Sequence, residues 1–329
     1  METTLSRRSV LAAAAATLSA FAGTAFAQDK VKLRMSTPAS ATDARTVALA
    51  TVFAPAIADF AVYEPHYNAA LFKQGTELEA ISRGNLEMSI ASAQELAEFF
   101  PEFSIFASAY LHRDAAHQKK VFESDLFLPF KKMVEDKLSV KLLTVMYLGR
   151  RQLNLRTDKK INTPEDLAGI KLRMPGSETW MFMGRALGAN PTPMAFTEVY
   201  TGLQTGAIDG QDNPLPTDRD AKFYEVTKQI VLTSHLVDLN YVAMSKKVFD
   251  KLSPANQVKL QKAADDAAES GRQKQLKLED ELVQFFKDKG LQVYTPNVDA
   301  FRKRAQKMYL ESDLSKAWPK GLVDKINAL

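Results

Sequence analysis

The chain has 329 residues, of which 46% are apolar and none is cysteine, and its 43 basic and 39 acidic side chains leave a formal charge of +4. The length suggests about two domains, and the apolar content is enough for real cores. The missing cysteines exclude disulfides, zinc–thiolate sites, thiol nucleophiles and an acylated lipoprotein anchor, while the small charge surplus, without a basic cluster interleaved with aromatics, argues against nucleic acid as a partner.

The first element in chain order is a leader. Arg7 and Arg8 precede an Ala-rich apolar run that ends in Ala25-Phe26-Ala27, a small-x-small cleavage site, so cleavage is expected after Ala27. The run 10–22 is too short and too Ala-rich to span a bilayer, which needs about 20 strongly apolar residues. The paired arginines resemble a twin-arginine export signal, but Val10 stands where Phe is more usual, which leaves the general secretion route open. Removing the leader takes away Arg7, Arg8 and Glu2, one net positive charge, and leaves +3. The expectation is a periplasmic protein spanning 28–329.

Along that mature chain, VKLRM (31–35) alternates as a strand, 42–60 carries a helical apolar pattern, 77–82 is a short helix, and LEMSIA (86–91) is a strand after Gly84. Further on, Thr163 and Pro164 supply an N-cap and an N1 proline, with Gly169 as a stop before the strand 170–174. Ser177 caps a helix to Leu187, Thr197 another to Thr205, and Gly206 precedes an apolar–acid strand at 207–209. Strand and helix alternate throughout, so the fold class is α/β, and the helix–glycine–strand grammar of 78–87 recurs at 199–209, which suits two similar lobes. From Ser253-Pro254 a polar, amphipathic helical pattern runs to about Lys289. At 1.5 Å per residue it would be on the order of 50 Å long, enough to lie across both lobes.

Catalytic constellations are hard to find. His66, His112, His117 and His235 lack metal-ligand spacing, and no Gly-x-Ser-x-Gly elbow, phosphate loop or dinucleotide fingerprint occurs. Asp209 ends a strand and Asp212 stands in the turn after it, where an acid more often accepts local backbone N–H groups than acts as a base. A binding site suits the polar residues better. In IKLRM (170–174) the apolar positions alternate, which puts Lys171 and Arg173 on one face and Arg173 at the strand's carboxyl end, where α/β folds bind ligands. A guanidinium offers a planar fork of donors that fits a carboxylate, although a solvated arginine or a structural ion pair fits the spacing equally well. Asn213 before Pro214 can donate to a carboxylate or be an ordinary turn residue, and Phe196 by itself is an ordinary core aromatic.

The motifs NTPEDLAGIKLRMP (162–175), NPTPMAFTEVY (190–200), LQTGAIDGQDNP (203–214) and KFYEV (222–226) stand in one order along the chain. Together they resemble the DctP-type substrate-binding proteins of tripartite ATP-independent periplasmic (TRAP) transporters. The resemblance is dense over 149–250 and extends in layout from Val31 to the end.

It implies a type II-like periplasmic-binding-protein fold with hinge strands, lobe 1 formed by 28–150 and 239–278, lobe 2 by 151–238 and 279–329, and a helix at about 253–289 crossing both. It implies a monomeric receptor, not an enzyme, with no cofactor or metal, that closes over a small organic acid and delivers it to a sodium-driven membrane permease. The carboxylate-clamping arginine falls on Arg173, the asparagine that helps it on Asn213, and the pocket aromatic on Phe196. A second arginine falls on Arg150 or Arg151, with Arg151 favoured because the family's arginine usually comes two residues after the glycine. In lobe 1, Gln74 and Ser92 stand where some acidic-sugar receptors of the family carry acids for amines or polyols. That argues against a nine-carbon amino sugar acid and for a hydroxylated monocarboxylate such as a short sugar acid or 2-hydroxy acid. Ser36 and Asn240 are further candidates. A dicarboxylate, a uronate, a 2-oxo acid or an aromatic acid remains compatible, as do a receptor that feeds a sensor and a periplasmic enzyme.

Overall fold

The computed structural model describes residues 30–329. The expected leader lies outside the described residues. Among the described residues, nine strands form one continuous sheet, in the order β2-β1-β3-β8-β4-β7-β5-β6, with β9 beside β8. In the first lobe β1 (Val31–Ser36) runs parallel to both β2 (Ala61–His66) and β3 (Met88–Ala91). In the second, β5 (Lys171–Met174) runs parallel to β6 (Asn190–Pro193) and β7 (Gly210–Pro214), while β9 (Gln292–Tyr294) flanks the start of β8.

Two long antiparallel strands join the lobes. β4 (Val140–Leu155) and β8 (Gln229–Ser245) have 16 and 17 residues, about three times the usual strand length. The 140–148 part of β4 packs beside the first-lobe end of β8, and its 151–155 part pairs with β7. Register shifts interrupt the β4–β8 ladder at three places, one of them between Tyr147 and Gly149. Gly149 has φ +127°, and a Cβ there would lie 2.6 Å from Glu279 Oε1 and 2.7 Å from Pro214 Cβ. Only glycine suits both the backbone and the space at this crossing.

Apolar side chains cover the sheet on separate faces. Phe103, Phe106, Phe127, Phe130 and Tyr241 build an aromatic core in the first lobe, and Leu33, Met35, Phe53 and Val242 a second one. Leu153, Leu172, Met174, Trp180 and Met183 form the core of the second lobe. The helix Pro254–Asp288, 35 residues long and capped by Ser253, joins them. Its Leu260, Ala263 and Ala267 pack on Leu33 and Phe53, while its Leu282 and Phe286 pack on Leu215 and Ile230.

Four local expectations are corrected. The helix read over 42–60 starts after its Asp43 cap, opens into a π-helical stretch at Leu49–Phe53 and ends at Ala56. Pro55 supplies no N–H to the helical ladder, and Ala54 N–H bonds back to Leu49 O. Pro164–Leu167 is a 3-10 turn held by a Thr163–Asp166 capping box, because the stop at Gly169 leaves no room for an α-helix. Thr197 caps nothing: it lies in the 3-10 turn Phe196–Glu198, and the helix Val199–Thr205 follows. The strand expected at 207–209 is instead β7, so Asn213 lies in a strand and not in a turn. Ile208, the apolar signal for that strand, packs in a small core with Val199, Leu203 and Phe223.

The C-terminal segment also differs from its expected place wholly in lobe 2. The helix Leu322–Asn327 inserts Leu322 and Ile326 into the first-lobe aromatic core, where burial of its apolar face outweighs sequence proximity to the second lobe.

Candidate ligand-binding site

A cavity of about 410 Å³ lies where the two lobes meet the crossing strands. Arg173, Asn213, Arg151, Phe196, Gln74, Ser92 and Asn240, far apart in sequence, all line it. Arg150 does not; successive strand side chains alternate, and Arg150 is exposed while Arg151 is buried. Ser36 is also absent from the lining, its hydroxyl accepting from the Phe72 N–H.

The two arginines differ in surroundings. Arg151, 3% exposed, is enclosed by acids: Nε donates to Asp212 Oδ2 at 2.7 Å, Nη1 to Asp238 Oδ2 at 2.8 Å, and Nη2 to Asp212 O and Oδ1. Its Cζ sits 4.5 Å from the Trp180 ring centre. Burial by itself would raise the Asp212 carboxyl, but the Arg151 charge and bonds from His235 and Arg151 hold it well below the usual carboxylate range. His235 Nε2 lies 2.9 Å from Asp212 Oδ2. Asp212 is therefore a buried acceptor between two basic side chains, not a base free to act on a substrate.

Arg173 has no such partner. It is 1% exposed, its Nε donates to Met194 O at 2.8 Å, and its Nη2 is buried without a hydrogen-bond partner among the described residues. Burial, and then the nearby positive charge of Arg151, push its pKa down to about 9. Phe196 lies 5.8 Å from Cζ by ring centre and shields one side. A buried cation with an unfilled donor and no facing carboxylate is one whose desolvation the charge of an entering anion would offset.

The strand that carries Asn213 is made wholly of polar residues, glycine and proline, yet every position from Gly210 to Pro214 is buried. Side-chain bonds make that possible: Gln211 Nε2 donates to Asp218 Oδ1 at 2.7 Å, and Asn213 Nδ2 donates to Gln211 Oε1. Burial raises the Asp218 carboxyl well above its ordinary value. Asn213 is thus locked in position beside Arg173 on the same wall.

The first-lobe candidates are partly engaged. Gln74 Oε1 accepts the Phe196 N–H at 3.0 Å, a bond that joins the lobes directly. Ser92 caps the helix Ala93–Ala97 through a capping box with Glu95, so its oxygen already accepts one N–H. Asn240 Oδ1 accepts from Arg45 Nη1. Sequence reasoning missed Arg45 and Asp43, which also line the cavity, together with Glu95, Asp220 and Asp238. The Asp43 cap follows β1, and the rule that ligands bind beyond the carboxyl ends of strands could have pointed to it. Among the described residues, no cluster of three or more His, Cys, Asp or Glu side chains could hold a metal.

Residues 59–314 match the family described as bacterial extracellular solute-binding protein, family 7, the DctP family. The chain belongs to this family. It is 34% identical over 252 residues, 77% of each chain, to the sialic acid-binding periplasmic protein SiaP of Vibrio cholerae. Among solved structures it is similar to a TRAP periplasmic solute-binding protein of Roseobacter denitrificans with bound 3-deoxy-D-manno-oct-2-ulosonic acid. The two are 64% identical with a TM-score of 0.90, and the match covers 91% of this chain and 99% of the other. A third relative, the TRAP solute-binding protein of a Polaromonas species bound to D-erythronate, is 26% identical with a TM-score of 0.85, covering 91% and 99%. This solute-binding protein is therefore a two-lobed receptor of the TRAP class and not an enzyme. The family is periplasmic, and no described helix is long and apolar enough to cross a membrane.

Proposed function

We propose that this receptor captures a hydroxylated monocarboxylate of the sugar-acid type, clamps its carboxylate between Arg173 and Asn213 beneath Phe196, and passes it to a sodium-coupled TRAP permease. The observation that carries the reading is the Arg173 guanidinium, buried, unpaired by any acid and open at Nη2. Arg151, held between Asp212 and Asp238, keeps one N–H on Nη1 for the same carboxylate and otherwise fixes the wall. Gln74, Ser92 and Asn240 supply hydrogen-bonding groups for hydroxyls from the first-lobe side.

The 64% identity to the Roseobacter receptor, whose structure holds an eight-carbon 2-ulosonic acid, favours a ligand of that length over the shorter acids suggested by the residues alone. We place the receptor in the periplasm as a monomer after removal of residues 1–27, which mass spectrometry of the exported protein would check.

A thermal-shift screen over organic acids, followed by calorimetry, tests the ligand. The expected result is stabilisation by 3-deoxy-D-manno-oct-2-ulosonic acid, about 2.7 kcal/mol at 100 times its dissociation constant. Stabilisation by dicarboxylates with none by sugar acids would overturn the reading. Uptake into vesicles containing the permease, dependent on both receptor and a sodium gradient, tests delivery.

A further inference from the structure

The first-lobe side of the cavity carries a third arginine, in a different electrostatic state from Arg173. Arg45 is 8% exposed, on the helix that follows β1, and grips Asp43 with both edges of its fork: Nε to Oδ1 at 2.9 Å and Nη2 to Oδ2 at 2.7 Å. Its Nη1 donates to Asn240 Oδ1 on β8. Burial alone would raise the Asp43 carboxyl, but the charge and hydrogen bonds of Arg45 hold it below its ordinary value. The pair is an internally neutral ion pair.

A guanidinium has five N–H groups, and three of these are engaged, which leaves one on each terminal nitrogen of a residue that lines the cavity. Asn240 likewise accepts from Arg45 through its oxygen, so its amide N–H groups remain for the cavity. A neutralised arginine with two rigidly aimed donors gains little from a carboxylate but suits neutral oxygens, because the bidentate grip already fixes its rotamer and no ordering cost remains. The surrounding charges point the same way. Asp43, Asp220 and Asp238 line the cavity paired with Arg45, Arg219 and Arg151, and Glu95 lines it without an arginine, so a second carboxylate would meet acids and no free cation.

Resting on the carboxylate clamp proposed above, we infer that Arg45, held by Asp43 and Asn240, is the specificity-determining residue that reads the hydroxyl-bearing tail of the ligand. It thereby favours long polyhydroxylated monocarboxylates over short acids and dicarboxylates. Since Arg45 and Arg173 stand in different lobes, a ligand long enough to touch both ties tail recognition to closure.

Calorimetry with 3-deoxy-D-manno-oct-2-ulosonic acid, four-carbon D-erythronate and succinate tests this on the unaltered protein, on Asn240→Ala, and on the double variant Asp43→Asn with Arg45→Met. The double variant removes both charges together and so leaves neither buried alone. The unaltered protein is expected to prefer the eight-carbon acid over erythronate by at least tenfold and to bind succinate more weakly than either. The double variant should shrink the eight-carbon preference to under about threefold, and Asn240→Ala should shrink it partly. A preference unchanged in the double variant, or an equal loss for long and short acids, would overturn the role of Arg45. Failure of the unaltered protein to bind any sugar acid would overturn the carboxylate-clamp reading first.

Discussion

Replacing Arg173 by methionine should weaken ligand binding and strengthen the fold at once. In the folded protein the Arg173 pKa is pushed down to about 9, first by burial and then by Arg151. The charged form is the disfavoured one, so the burden is fully present at pH 7 and is relieved only as pH rises through about 9. Its upper limit is about 5 kcal/mol. Against it stand the hydrogen bond to Met194 O, whose loss costs about 1–3 kcal/mol, and the contact with the Phe196 ring, about 0.5–1 kcal/mol. At that limit the balance favours the variant by about 1–3.5 kcal/mol, a rise in melting temperature of roughly 2–10 °C for the ligand-free protein. Binding should fall by about 2–4 kcal/mol, roughly 30- to 1,000-fold in dissociation constant, the cost of stripping one partner from a buried charge pair. Scanning calorimetry without ligand and titration calorimetry with the sugar acid read the two effects separately. Unchanged affinity would refute the clamp, and a lower melting temperature would show that the buried Arg173 charge is already compensated in the ligand-free protein.

The lobe-to-lobe bond from Phe196 N–H to Gln74 Oε1 exists only with the lobes together, so Gln74→Ala should raise the dissociation rate by about three- to tenfold, with stopped-flow release as the readout. An unchanged rate would mean that closure does not use the bond. Burial, and then the charge of Glu95, push the Glu77 carboxyl up to about 8, which makes its contribution to stability decline as pH rises from about 4.5 to 8. Glu77→Gln should therefore melt with the unaltered protein at pH 4 and be more stable at pH 8 by about 1–3 kcal/mol. Gly149→Ala forces a left-handed backbone and a clash with Glu279 and Pro214, and should destabilise the fold by about 2–3 kcal/mol in denaturant titration, with a smaller cost counting against a fixed crossing geometry.

How much of this could be read from the sequence depended on whether the signal was local. The KLRM strand and its terminal arginine were legible because alternating apolar residues and a following proline mark the end of β5. Asn213, which lines the cavity, was expected in a turn, because GQDNP has turn composition and no apolar periodicity. Its strand form comes from pairing on both sides with β4 and β5 and from the bonds of Gln211 and Asn213, none of which is a property of the five residues themselves. Asp43 and Arg45 stayed unread for a related reason. An acid and a base two residues apart at a helix start look like a cap and a surface charge, and only the approach of Asn240 from 195 positions away makes them a cavity wall.

The same distinction separates the three cavity arginines, which composition treats alike. Arg151 has Asp212 and Asp238, Arg45 has Asp43, and Arg173 has only a backbone carbonyl. A carboxylate entering the cavity therefore gains full charge compensation at one place and a largely neutralised guanidinium at the other two. If all three were unpaired, their mutual repulsion and desolvation would weigh on the fold without ligand and the site would accept any polyanion. Pairing two and leaving one limits the burden to a single buried charge and, on the proposed clamp, would fix which end of the ligand enters the second lobe and leave the first lobe to discriminate among tails through hydrogen bonds. Orientation and selectivity follow from where the acids stand, since they decide which arginine remains available to the ligand's charge.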